Sequence, residues 1–277
     1  MESLEPGTET AGAQLTPDLS IIVPAYNDAG SIEAVVREAS YVASQAAPRH
    51  EILVVNDGSR DSTGEILDKL SREFDALRVI HHKVNRGFGY TMRELYHSAA
   101  GKLVFSIPGD GQIRAAQLER MLPAAELADL VVGWREIRND AGRRKRQSYV
   151  YNFLIRTLYG VTIGDVNSVK LIHRRLLDAV VPLQTESPFI DAELCIRALR
   201  RGFLIRGVVI EHMPRQYGTG SGGKWGIIWA TIKDMLLMWP ALRSTREGPW
   251  ARSHLQRGSA GDLEPPVSGS WKRDGEP

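Results

Sequence analysis

A single cysteine, Cys195, stands in 277 residues, which excludes an internal disulfide and a cysteine-rich zinc site and implies a reducing compartment. Its neighbours, Ala192-Glu193-Leu194 and Ile196, are those of an apolar helix, so Cys195 reads as a packing residue. Long apolar runs are also missing: no window approaches the roughly 18 uninterrupted apolar residues of a spanning helix. The first 18 residues hold four acids and no Lys or Arg, which does not fit a secretory signal. These absences predict a cytoplasmic protein, at most peripheral on the inner face of a membrane. An excess of one charge is absent as well. With 35 Lys and Arg against 33 Asp and Glu, the formal net charge is +2, unsuited to a wholesale nucleic-acid binder. Internal repeats and a low-complexity core are not found.

What is present is an ordinary globular balance, 43% hydrophobic and 25% charged, enough to bury a sizeable core. Residues 1–17 read as a disordered leader. Short, continuously apolar runs then alternate with helical periodicities. Strands are predicted at 19–23, 51–55, 77–80, 103–107 and 129–133, with helices between them, one of them capped by Ser31. Four strand–loop–helix units in succession specify a mostly parallel sheet with right-handed crossovers. The runs are too apolar for a wet face, so helices should cover both sides. Polar residues gather where strand gives way to loop, and this places Tyr26, Asp28, Asp57, Arg86 and Asp110 along one rim.

The fourth run stops at Pro108-Gly109 and presents Asp110, Gly111 and Gln112. Ligands of open parallel sheets gather beyond the carboxyl ends of the strands. An acid and an amide two residues apart there offer oxygen to a hard cation such as Mg2+ or Mn2+; the competing reading is a plain turn, since Pro-Gly and Asp-Gly are common turn dipeptides. After Gly133 the character changes. From Arg135 to Arg156 seven Arg or Lys stand against two acids. Helices are expected at 149–159 and 190–201 and a strand at 203–210. The glycine-rich stretch 217–223 follows, and then a helix over 224–242 carrying Trp225, Trp229 and Trp239 on one stripe. The tail, 243–277, is rich in Gly, Ser, Pro and charge and reads as disordered.

Pro24-Ala25-Tyr26-Asn27-Asp28, Val55 to Asp61, Asn85 to Gly89 and Asp110-Gly111-Gln112, in this order, resemble the family 2 glycosyltransferases. The segments from Gly164, from Phe189 and from His212 to Arg215 are similar to the polyprenyl- or dolichol-phosphate sugar synthases within that family. The likeness spans about residues 19–240. It implies a GT-A type, Rossmann-like α/β fold in one domain over 18–242. Residues 18–134 would form the nucleotide-sugar half, and 135–242 a helical extension on the acceptor side. The resemblance further implies a UDP- or GDP-sugar donor held by Pro24, Tyr26, Asp28, Asp57 and Arg86, with aspartate at 28 where the family usually has glutamate. Asn56 replaces a commoner aspartate and can still order its turn. Asp110 and Gln112 match the family's metal ligands, while the first acid of that motif falls at Pro108. Arg135 matches an arginine that meets the acceptor phosphate, Arg146 matches a second more loosely, and Arg215 and Lys224 resemble residues that close over the diphosphate.

Two acceptors fit these residues. A polyprenyl phosphate is already ionised near neutral pH, so its inverting glycosylation needs positioning and cations more than a base. A small-molecule or glycan hydroxyl would need Asp191 or Glu193 as general base. These two lie two apart on a helix and do not share a face, so one should face the site while the other caps or pairs. In the first case the Trp stripe meets the headgroup layer of a membrane; in the second it is core or the face of a homo-oligomer. The basic run 143–146 lacks the interleaved aromatics of a nucleic-acid patch. A sugar-nucleotide-binding scaffold without turnover is the non-enzymatic reading.

Overall fold

The computed structural model of the chain describes residues 16–135, 142–160, 165–215 and 225–244. The first half runs β1 (Leu19–Ala25), α1 (Ile32–Ala46), β2 (His50–Asn56), α2 (Thr63–Glu73), β3 (Leu77–His81), α3 (Phe88–Ser98), β4 (Leu103–Ser106), α4 (Gln117–Ala125) and β5 (Leu130–Arg135). The second half adds α5 (Gly142–Tyr159), β6 (Lys170–His173), α6 (Arg174–Val180), α7 (Ile190–Arg200), β7 (Ile205–Ile210) and α8 (Trp225–Ser244).

The strands form one seven-stranded sheet in the order β3-β2-β1-β4-β6-β5-β7. Every neighbouring pair is parallel except those of β6, which runs antiparallel to both β4 and β5. The continuous apolar runs have the expected cause. Ile22, Leu53, Val55 and Val104 belong to the core on one face, and Ile21, Val23, Ile52, Val54 and Phe105 to the core on the other. Alternate side chains thus enter opposite layers, each contributing roughly 1.5–3 kcal/mol relative to exposure.

Strand β6 is absent from the sequence reading, and two further features differ from it. The fifth strand does not pair with the fourth, because β6 lies between them. Strand β6 is four residues long, too short for a periodic signal, and only its two partners make it a strand. Helix α5 begins at Gly142, so the basic run 143–146 lies on its first turn. Ser31 precedes α1 without a side-chain capping bond; its hydroxyl donates instead to Gly109 O at 2.8 Å and so ties the loop after β4 to α1.

Beyond β1 the chain winds out to β2 and β3, then returns to place β4 on the other side of β1. That reversal leaves a crevice at the carboxyl ends of β1 and β4, where ligands of such sheets bind.

Candidate active site

A cleft of about 200 Å³ opens there, lined among others by Pro24, Asp110, Gln112, Arg135, Asp191 and His212. Its floor is built by loops that hold one another. Asn27 takes a left-handed backbone (φ 54) and accepts from Arg60 N at 2.8 Å, while Asp28 N donates to Thr63 Oγ1 at 2.9 Å. The loops after β1 and β2 therefore form one unit. Asn56, standing where an acid is commoner, accepts from Ser59 N at 3.2 Å and contacts His81 Nδ1 at 3.0 Å, so a neutral amide does order this turn.

Asp28, Asp110 and Arg215 come together at the mouth. Asp110 accepts from Gln112 N at 3.0 Å through Oδ1 and forms an ion pair with Arg215 through Oδ2. The backbone of Gln112 is stitched to the strand-end loop that carries Arg215, Met213 N donating to Gln112 O at 2.7 Å. Asp28 accepts from Tyr26 N at 3.0 Å. Burial pushes its carboxyl up to about 6, with the Tyr26 N–H opposing and the neighbouring Asp110 adding to the rise. Gly109 permits this approach: a Cβ there would meet Pro24 O at 2.9 Å and Asp28 Oδ2 at 3.1 Å.

Asp57 is buried at the end of β2. Its oxygens accept from His82 Nδ1 (2.7 Å), Arg86 N (2.7 Å) and Gly87 N (2.9 Å). The other ring nitrogen of His82 lies 2.5 Å from Glu94 Oε2. The Arg86 guanidinium stacks 3.3 Å from the centroid of the Tyr90 ring. Asp57 thus clasps the 85–87 loop, a role invisible in its turn-like setting Asn56-Asp57-Gly58. Burial disfavours the charged imidazole of His82, but the Asp57 and Glu94 carboxylates outweigh it and raise the group above its ordinary 6.5. A raised histidine stabilises the fold below its unfolded-state value and loses that contribution as pH climbs through the folded-state value. His82→Gln is therefore expected to destabilise most under mildly acidic conditions and less at alkaline pH. Denaturant titrations from about pH 5 to pH 9 check this; a penalty that does not vary over that range would remove the ionic role of His82.

On the acceptor side, Asp165 holds Arg135 bidentately at 2.7 and 2.9 Å. Asp191 faces the cleft, and its Oδ1 meets Lys170 Nζ at 2.9 Å and Tyr96 OH at 3.3 Å. Glu193 is buried, accepts from Gln184 N and Thr185 N and pairs with Arg197 at 2.7 Å. The two acids divide as their spacing requires, one to the site and one to structure. Asp165 and Lys170 were assigned no role from sequence. Both lie in the stretch from Gly164, and nothing local marks which distant side chain each one meets. Arg146 lies on α5 with its side chain outside the described residues, as does the whole of Lys224.

The Trp stripe divides. Trp239 is half-buried and donates through Nε1 to Leu158 O at 3.0 Å. Trp225 and Trp229 are 74% and 64% exposed, in company with Leu236 and Leu237 on α8 and Val150 and Phe153 on α5. Helices α5 and α8 pack together, and among the described residues no helix is long and apolar enough to cross a membrane.

Among the described residues no three His, Cys, Asp or Glu converge into a metal cage. The juxtaposed carboxylates of Asp110 and Asp28 nonetheless fit Mg2+ or Mn2+, which are bound through one or two carboxylates together with substrate phosphates.

The family model described as Glycosyl transferase family 2 matches residues 20–180. Among curated proteins, the undecaprenyl-phosphate 4-deoxy-4-formamido-L-arabinose transferases of Salmonella choleraesuis (strain SC-B67) and Salmonella newport (strain SL254) are each 28% identical over 204 residues, 72% of this chain and 61% of theirs. The chain thus spans about 61% of the length of those relatives. Among solved structures, glucosyl-3-phosphoglycerate synthase from Mycobacterium tuberculosis, in complex with Mn2+, UDP and glucosyl-3-phosphoglycerate, superposes with a TM-score of 0.60 at 18% identity over 80% of each chain. The same enzyme with Mg2+ and UDP gives 0.61 at 18% identity, over 80% of this chain and 79% of that one. These structural likenesses establish a common fold.

Proposed function

The chain belongs to glycosyl transferase family 2, and we propose that it transfers a sugar, with inversion, from a UDP- or GDP-sugar to a polyprenyl phosphate presented at a membrane surface. The observation that carries the acceptor is the set of exposed apolar side chains on the packed helices α5 and α8, Trp225 and Trp229 among them. Indole rings favour the interface between water and lipid, and the basic first turn of α5 suits anionic headgroups. The curated relatives, named for undecaprenyl-phosphate, support the same class.

The chemistry follows from charge. The donor's base meets the Asp57 rim, with Pro24, Tyr26 and Arg86 around the nucleotide. Asp110 and Gln112 would hold a divalent cation, which when bound would supply charge neutralisation to the diphosphate. Arg215, already beside Asp110, adds positive charge over the same group, the role that the resemblance also gives Lys224. Arg135, aimed by Asp165, and Arg146 meet the acceptor phosphate. An ionised phosphate needs no proton acceptor, which accords with an Asp191 whose Oδ1 is occupied by Lys170 and Tyr96.

The protein is expected to sediment with anionic vesicles at low salt and to release as salt rises. Neutralising Arg143, Arg144, Lys145 and Arg146 together removes about 1 kcal/mol each of headgroup attraction, and Trp225→Ala with Trp229→Ala weakens binding at every salt concentration. Donor affinity stays unchanged in both variants. A protein that ignores anionic vesicles and glycosylates a water-soluble hydroxyl instead would return the acceptor to the hydroxyl class, with Asp191 as its base.

A further inference from the structure

We propose that Asp28 is the second carboxylate of the metal site, standing in for the acid that Pro108 replaces. The inference rests on the metal-dependent reading above and reassigns a residue that the family resemblance gives to the nucleotide. A cation shared with a diphosphate takes one or two protein carboxylates. Asp110 is the only acid in its own loop, and its Oδ2 is already answered by Arg215. Proline at 108 offers no side-chain oxygen, so the second carboxylate of a two-carboxylate site comes from another element.

The structure brings one. The loop after β4 lies against the end of β1, Gly109 N reaching Pro24 O at 3.3 Å. Gly109 leaves so little room that an added Cβ would stand 3.1 Å from Asp28 Oδ2. The residue next along is Asp110. Both loops are braced: the Ser31 hydroxyl holds Gly109 O at 2.8 Å, and Thr63 holds Asp28 N at 2.9 Å. Asp28 Oδ2 accepts from Tyr26 N at 3.0 Å, while Oδ1 accepts no hydrogen bond from any described residue. A half-buried carboxylate with an unclaimed oxygen, fixed beside a second carboxylate, is what an oxygen-seeking cation requires. The shorter reach of aspartate than glutamate suits this role, because the backbone has already closed the distance.

The test measures Mn2+ binding by electron paramagnetic resonance in the presence of UDP and, separately, GDP. Asp28→Asn is expected to weaken Mn2+ binding by about 10-fold or more while leaving metal-free nucleotide binding unchanged. Adding Pro108→Asp to that variant is expected to restore Mn2+ binding, since it returns a carboxylate on the other side of Gly109. Mn2+ affinity unaltered by Asp28→Asn but lost in Asp110→Asn would overturn the assignment and leave the metal reading standing. Loss of nucleotide binding without metal would return Asp28 to the nucleotide. A wild-type protein that takes up no Mn2+ with either nucleotide would overturn both the metal reading and this inference.

Discussion

Asp110→Asn is expected to lower sugar transfer by roughly 10³-fold, about 4 kcal/mol of barrier at 1.36 kcal/mol per decade, with the fold intact. The size follows from charge. The leaving diphosphate gains negative charge as the glycosidic bond breaks, and removing a preorganised electrostatic partner in a water-poor site commonly costs two to three decades, about 10²–10³. The fold survives because asparagine retains an oxygen for the Gln112 N–H, the one backbone bond that the Asp110 side chain makes at 3.0 Å. What disappears is the anion that balances Arg215 and the carboxylate offered to Mg2+ or Mn2+. The measurement is steady-state transfer alongside thermal unfolding, with and without a chelator. Unchanged turnover in the variant, or full wild-type turnover in excess chelator, would sink the metal role of Asp110.

Asp57→Ala is expected to be the most damaging single change to the donor half. It leaves two part-buried backbone N–H groups, those of Arg86 and Gly87, without their acceptor, and it strips the buried Asp57–His82 pair of its carboxylate. Removing one partner of a buried charged network commonly costs about 3–5 kcal/mol. The surrounding backbone has little freedom to compensate: Gly58 lies at φ +65, and a Cβ there would fall 2.4 Å from Val84 C. The loss of stability should therefore come with release of the 85–87 loop, visible as faster amide exchange there. Calorimetry below the unfolding midpoint then reads the donor. A further weakening of about 1.5–3 kcal/mol marks a charge-assisted bond to the base. Stability lost with donor affinity retained would make Asp57 a loop clasp alone.

Much of this architecture is written locally. Continuous apolar runs ending in Pro24, Asn56-Asp57-Gly58 and Pro108-Gly109 mark strand ends without knowledge of any partner, because burial on both faces and turn chemistry act over a few residues. The same local signals align Tyr26, Asp28, Asp57, Arg86 and Asp110 on one rim, and their order carries the family resemblance. The division of Asp191 from Glu193 was also legible, since helical geometry alone separates positions two apart.

Other features depend on where the chain returns. Strand β6 exists through its pairing with β4 and β5, and four residues bearing a central-sheet lysine carry no periodicity of their own. Arg135 meets Asp165 across 30 residues and Arg215 meets Asp110 across 105. The Trp stripe divided because α5 packs against α8 and takes up Trp239, while Trp225 and Trp229 lie beyond that contact. The sequence by itself determined every strand but β6, their order along the chain and the rim that they build, because those follow from side-chain period and turn residues. Tertiary structure alone decided which charge answers which, and which aromatic faces water. An ion pair or a packed ring is a property of two surfaces meeting, and neither surface encodes the other.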